Sequence, residues 1–139
     1  MHKGYKKIGR HSTSMEIPDI VHLKLVGEVT LEECREINQA HIDYARDLPL
    51  FFYMIDLSEL ENIPAAVRRE ASQTVKILPL RGTVIYQTPL RARVIAKLLL
   101  TAVNLFKGGA GQNPVDFVDT TEEARAWIKR RRQQIADAA

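Results

Sequence analysis

The 139-residue chain predicts an α/β fold with a mixed, mostly parallel sheet. Three observations carry that expectation. Strand-like and helix-like segments alternate from residue 19 onward. Two helices open on capping boxes, Thr30-Leu-Glu-Glu33 and Thr120-Thr-Glu-Glu123. The segment "LFFYMIDL" (50–57) is apolar almost throughout, as a strand covered on both faces must be.

Taken in order, residues 4–11 and 14–17 have weak strand character. The segment 19–26 is clearer: Val21, Leu23 and Leu25 alternate with His22 and Lys24. The two pair as antiparallel neighbours, with Pro18 between them where it interrupts no central ladder. A helix follows from Thr30 to about Asp47, with Leu31, Cys34, Ile37, His41, Tyr44, Ala45 and Leu48 on one stripe. His41 reads as a half-buried polar member of that helix. The strand 50–57 is expected to end at Asp56, followed by a polar bend. Pro64 then suits the first position of a helix that reaches about Leu78, with Val67, Ala71, Val75 and Leu78 inward.

"GTVIYQT" (82–88) reads as the next strand. Pro89 opens a long helix to about Lys107, and Gly108 suits its left-handed C′ position. "PVDFVD" (114–119) is a short strand, and the last helix points Ala124, Trp127, Ile128 and Ile135 inward. The order is ββαβαβαβα: about five strands, the first antiparallel, and four helices in a single domain. Its core spans about 15–130, with basic ends at 1–11 and 129–139.

Composition excludes several functions. Residues 1–11 hold four basic groups and no acid, and 129–132 is Lys-Arg-Arg-Arg, so 12–128 carries 12 basic against 16 acidic residues. A nucleic-acid reader needs a basic stripe over a folded face, and none is expected here. The basic run 129–132 reads as a solvated helix end, with contact to anionic lipid or an acidic partner as the alternative. The N-terminus lacks the apolar run of a signal peptide. The most apolar segment, 94–106, is short of the ~20 residues that a membrane span needs. A soluble, cytoplasmic protein is expected, consistent with one cysteine and no possible intramolecular disulfide.

No motif for catalysis emerges. "KGGAGQN" (107–113) follows a helix and precedes a strand, the reverse of a dinucleotide loop, and lacks the Lys-Ser/Thr of a Walker loop. None of His2, His11, His22 and His41 is paired at i, i+4 or lies near Cys34 in sequence, so neither a metal nor a cofactor is expected. Cys34 lies on the inner stripe of its helix and reads as a small buried apolar residue. Asp56, at a strand's carboxyl edge, is either a catalytic acid or a local turn acceptor through its Asp-x-Ser spacing to Ser58. The helix 90–107 is unusually broad in its apolar face: Val94, Ile95, Leu98, Leu99, Ala102, Leu105 and Phe106 fill one side, and Leu100 and Val103 extend it. Such width implies deep burial, a dimer contact, a pocket wall or a membrane-facing patch.

"VGEVT" before the first helix, "MIDLSEL" (54–60) and "ARAWI" (124–128) together resemble the SpoIIAA-like branch of the STAS superfamily, grouped with the CRAL-TRIO-type lipid-binding proteins. The resemblance covers roughly residues 15–130. In the sporulation anti-anti-sigma proteins of that superfamily, "D-L-S" is followed by a "D-S-S-G" segment holding a phosphorylated serine. Asp56-Leu57-Ser58 matches the first part, but the second falls on Pro64-Ala65-Ala66-Val67. Alanine cannot acquire the charge by which a phosphoserine acts. The resemblance therefore implies a non-enzymatic interaction or regulatory module without the phospho-acceptor, with a protein partner or a second copy bound. The alternative is a binder of an apolar small molecule or lipid, with helix 90–107 as lid or wall. The candidate surface comprises Asp56, Ser58, Leu98, Leu99, Ala102, Leu105 and Phe106.

Overall fold

Six strands form one sheet whose spatial order repeats the chain order. The structure, a computed structural model, describes residues 1–107 and 113–138, with side chains for 1–98 and 113–138. The strands are β1 (His2–Ile8), β2 (His11–Glu16), β3 (Ile20–Glu28), β4 (Phe51–Asn62), β5 (Leu80–Tyr86) and β6 (Val115–Val118). β1 pairs with β2, and β2 with β3, antiparallel, and β3 to β6 run parallel. Four helices, α1 (Leu31–Ala45), α2 (Ala65–Ile77), α3 (Leu90–Lys107) and α4 (Thr121–Ala138), complete the order.

The mixed sheet and the four helices are as expected, with one strand more. The weak N-terminal segment is a hairpin that turns at Gly9-Arg10. Gly9 has φ 60°, and a Cβ there would stand 2.0 Å from Glu33 Oε2, so glycine is required on both counts. The β4 strand also continues past Asp56 to Asn62. The reason is non-local: β3 extends to Glu28, and Gly27 and Glu28 pair with Leu60 and Asn62. The backbone groups of the expected bend thus find ladder partners, and Leu57 and Leu60 are buried.

Helix α1 has both halves of its capping box. The Glu33 amide donates to Thr30 Oγ1 (3.1 Å), and the Thr30 amide to Glu33 Oε1 (3.0 Å). In α2, Pro64 is the N-cap rather than the first helical residue, with no side-chain cap. At α4, Thr120 Oγ1 accepts from the Glu123 amide at 3.1 Å. The glycine-rich stretch after α3, with the expected C′ residue Gly108, lies outside the described residues.

Crossovers of one hand between parallel strands added in one direction put α1, α2 and α3 on the same face. There Leu25, Leu57 and Ile85 meet Ile37, Val67, Ala92 and Ala96. Helix α4 alone lies on the other face, where Ala124 and Ile128 cover Ile20, Phe52, Met54 and Val84. Gly82 lets the Trp127 ring approach: a Cβ at that position would be 3.0 Å from the indole and 3.1 Å from Phe52. The basic run of α4 is not simply solvated. Arg131 Nε donates to the Arg81 carbonyl (2.7 Å). Arg132 pairs with Asp19, and its guanidinium lies 5.6 Å from the Phe52 ring centre.

Candidate functional site

Because α4 covers only part of its face, the sheet keeps an open polar strip beside it. A groove of about 210 Å³ runs there, lined by His2, Tyr5, Ser12, Ser14, His22, Lys24, Asp56 and Tyr86. Its floor follows from register: Lys24, Asp56 and Tyr86 are cross-strand neighbours on β3, β4 and β5, and Ser14 is opposite His22. Asp56 does not end its strand. Lys24 pairs with Asp56 but Val26 with Glu59, so β4 has one extra residue there, a bulge. Asp56 Oδ1 accepts the Ser58 amide across that bulge at 2.9 Å. The local-acceptor reading of Asp-x-Ser is thus observed, inside a strand rather than in a turn. Lys24 Nζ reaches Glu59 at 2.7 Å. Burial, with the Asp56 charge adding to it, holds the Tyr86 phenol above its ordinary pKa.

At one end of the groove several donors converge on Glu16. Arg125 binds both carboxylate oxygens at 2.9 Å. His22 Nε2 is 2.8 Å and His2 Nε2 3.3 Å from Oε1. The Arg125 bonds, with smaller help from His22, outweigh partial burial and bring the Glu16 carboxyl down to about 2. Burial holds His22 below its ordinary value, against the pull of Glu16. Sequence spacing could not have found this cluster, because its members come from three strands and a distant helix.

On the other face, β3, β4, α1 and α2 enclose an apolar cavity of about 110 Å³, walled by Leu23, Leu25, Ile37, Ile55, Val67 and Ala71 among others. No described α3 side chain lines it, so the expected wall role of helix 90–107 is not seen in those residues. His41 and Tyr53 stand at its edge, both fully buried. Thr13 Oγ1 donates to the His22 carbonyl (2.6 Å), so its lone pair takes the His41 Nε2 proton (2.9 Å). His41 Nδ1 then accepts from the Tyr53 hydroxyl at 2.8 Å. The order of donors fixes the neutral tautomer and satisfies all three side chains. His41 is therefore buried, not half-buried as its place in the helix implied, because two partners on the sheet receive it.

Cys34 also lines this cavity, and burial pushes its thiol up to about 11. A native-state thiol titration at pH 8 should therefore label Cys34 only as fast as the protein opens, and denaturant should bring the rate to that of a free cysteine. Prompt labelling of the folded chain would refute this burial.

Among the described candidate residues, Asp56 and Leu98 lie on opposite faces of the sheet. Asp56 faces the groove, whereas Leu98 is on α3, across the sheet. The side chains of Leu99, Ala102, Leu105 and Phe106 lie outside the described residues. Leu90, Val94 and Leu98 form an outward row at i, i+4 and i+8, each more than half exposed. At the start of α2, Ala65 and Ala66 are exposed and Arg68 Nη1 donates to the Ile63 carbonyl (2.7 Å).

Two solved structures have this arrangement of strands and helices. An uncharacterized protein of the DUF3478 family from Shewanella loihica PV-4, described as having a SpoIIAA-like fold, superposes with a TM-score of 0.59. The identity is 16%, over 91% of this chain and 94% of that one. The fold is SpoIIAA-like. The anti-sigma factor antagonist SpoIIAA in its unphosphorylated form is similar at a TM-score of 0.52 and 12% identity, over 91% of this chain and 96% of that one. No protein-family model matches the sequence, and no curated protein matches it significantly. Among the described residues of this SpoIIAA-like chain, no helix is long and apolar enough to cross a membrane.

Proposed function

We propose that this SpoIIAA-like chain is a non-enzymatic, STAS-type interaction module that binds a protein partner or a second copy of itself without a phosphoserine switch. The observation that carries the reading is the row Leu90, Val94 and Leu98 on the outer face of α3. A helix that only covered a sheet would place polar residues there. The start of α2 supports it: where the sporulation proteins of the superfamily carry a phosphorylated serine, this chain presents Ala65 and Ala66. The carboxylate of Asp56 is occupied by the Ser58 amide, which gives it a structural task. Arg125 and Arg132 are paired within the molecule, which weighs against a basic stripe for nucleic acid.

Light scattering over a wide concentration range, together with crosslinking in the native cell extract, tests the reading. Association is expected, and Val94→Asp with Leu98→Asp should abolish it while leaving the circular dichroism unchanged. A monomer at every concentration, with no crosslinked partner that the double variant loses, would sink it.

A second reading is supported by the apolar cavity. Its walls offer hydrocarbon, and the polar groups of His41 and Tyr53 are already satisfied, so an occupant would be an apolar small molecule or acyl chain. Native mass spectrometry of gently purified protein should then show a bound mass that Ala71→Trp, by filling the space, removes.

A further inference from the structure

We infer that His2, Glu16 and His22 form a binding site for a divalent transition metal of the zinc type, with a coordination position open to the polar groove. The three ligand atoms lie within 4.8 Å of one another. Zinc binds imidazole nitrogen and carboxylate oxygen at about 2.0–2.2 Å, which puts tetrahedral ligand atoms roughly 3.3 Å apart. The two nitrogen–oxygen separations are already 2.8 and 3.3 Å. Small side-chain movements therefore suffice to admit the ion. Two imidazoles and one carboxylate are a donor set suited to zinc and its borderline neighbours rather than to calcium or magnesium.

The surroundings fit the same reading. His2 Nδ1 is 3.1 Å from Ser14 Oγ. A metal-bound histidine uses its second nitrogen in this way to fix tautomer and ring direction. The His2 and His22 rings are 4.5 Å apart, close enough for both to reach one ion. Arg125 contacts both Glu16 oxygens at 2.9 Å, and an ion at Oε1 would displace the Nη2 contact and leave Nη1 on Oε2. The positive charge of Arg125 weakens the site without closing it. The other two histidines and the cysteine, His11, His41 and Cys34, are all buried. His2 and His22 line the same groove as Lys24, Asp56 and Tyr86, so an ion held there would border it.

Titration calorimetry of the untagged chain with zinc chloride tests the site. One zinc per chain is expected, at a Kd near about 10 μM, weaker than the structural sites of zinc fingers. Cobalt(II) should give visible d–d bands with the same stoichiometry. His2→Ala lies on an exposed strand end and leaves the core intact. It should weaken binding at least about tenfold, as should His22→Ala and Glu16→Gln, and Ser14→Ala should cost roughly tenfold. Absence of saturable binding up to about 1 mM zinc, far above the expected range, would overturn the inference. So would unchanged affinity in His2→Ala.

Discussion

At pH 3 the folded state should be on the order of 4 kcal/mol less stable than at pH 7 through His41 alone. Burial of the imidazole lowers its pKa from 6.5 to about 3. The folded-state value lies below the unfolded one, so the contribution of the neutral ring is complete above pH 6.5. It falls away as the pH drops toward 3. Protonation must also reverse the Tyr53 hydroxyl, which now donates to His41 Nδ1. Glu16, brought down to about 2 chiefly by Arg125, adds a second loss that begins below pH 4.5. Urea titrations at a series of pH values measure the slope. The double variant His41→Leu/Tyr53→Phe removes both ends of that bond, so its stability should fall less steeply between pH 6.5 and 4.5, the remaining slope belonging to His22, which burial also holds low. An unchanged slope there would show that His41 is not the titrating group.

Phe52→Ala should cost about 3–5 kcal/mol, a large part of the stability of a domain this size. The ring has no exposed surface, lies beneath α4, and has the Arg132 guanidinium over it. Deleting it leaves a cavity between β3, β5 and α4 that Gly82 cannot fill. Trp127, the chain's only tryptophan, stands against the same spot, so its fluorescence should report a loosened α4 before global unfolding. A loss below about 1 kcal/mol would mean that the site collapses around the deletion.

What could be read in the sequence was what short-range chemistry decides. The Thr30 capping box and the Thr120 cap satisfy their own helix ends, so four residues suffice to announce them. The inward stripes of α1, α2 and α4 repeat at helical period and were found. Asp56 bonded Ser58 because the two are neighbours. What escaped notice depended on partners far along the chain. The length of β4 was set by Gly27 and Glu28 on β3. The burial of His41 required Thr13 and Tyr53. The groove, with the His2–Glu16–His22 cluster at its end, exists because a hairpin folds beside β3 and α4 stops short of it. Each of the three side chains sits alone on its own strand.

The agreement between strand position and strand number has a consequence for how the protein is born. A chain leaving the ribosome can lay each new strand against the one before it, and no strand has to be inserted between two already in place. Helix α4 reaches back furthest, joining Arg125 to Glu16 and Arg132 to Asp19 across 109 and 113 residues. Until that helix emerges, Phe52 and Met54 have no cover, so the sheet is made with one of its greasy faces still bare.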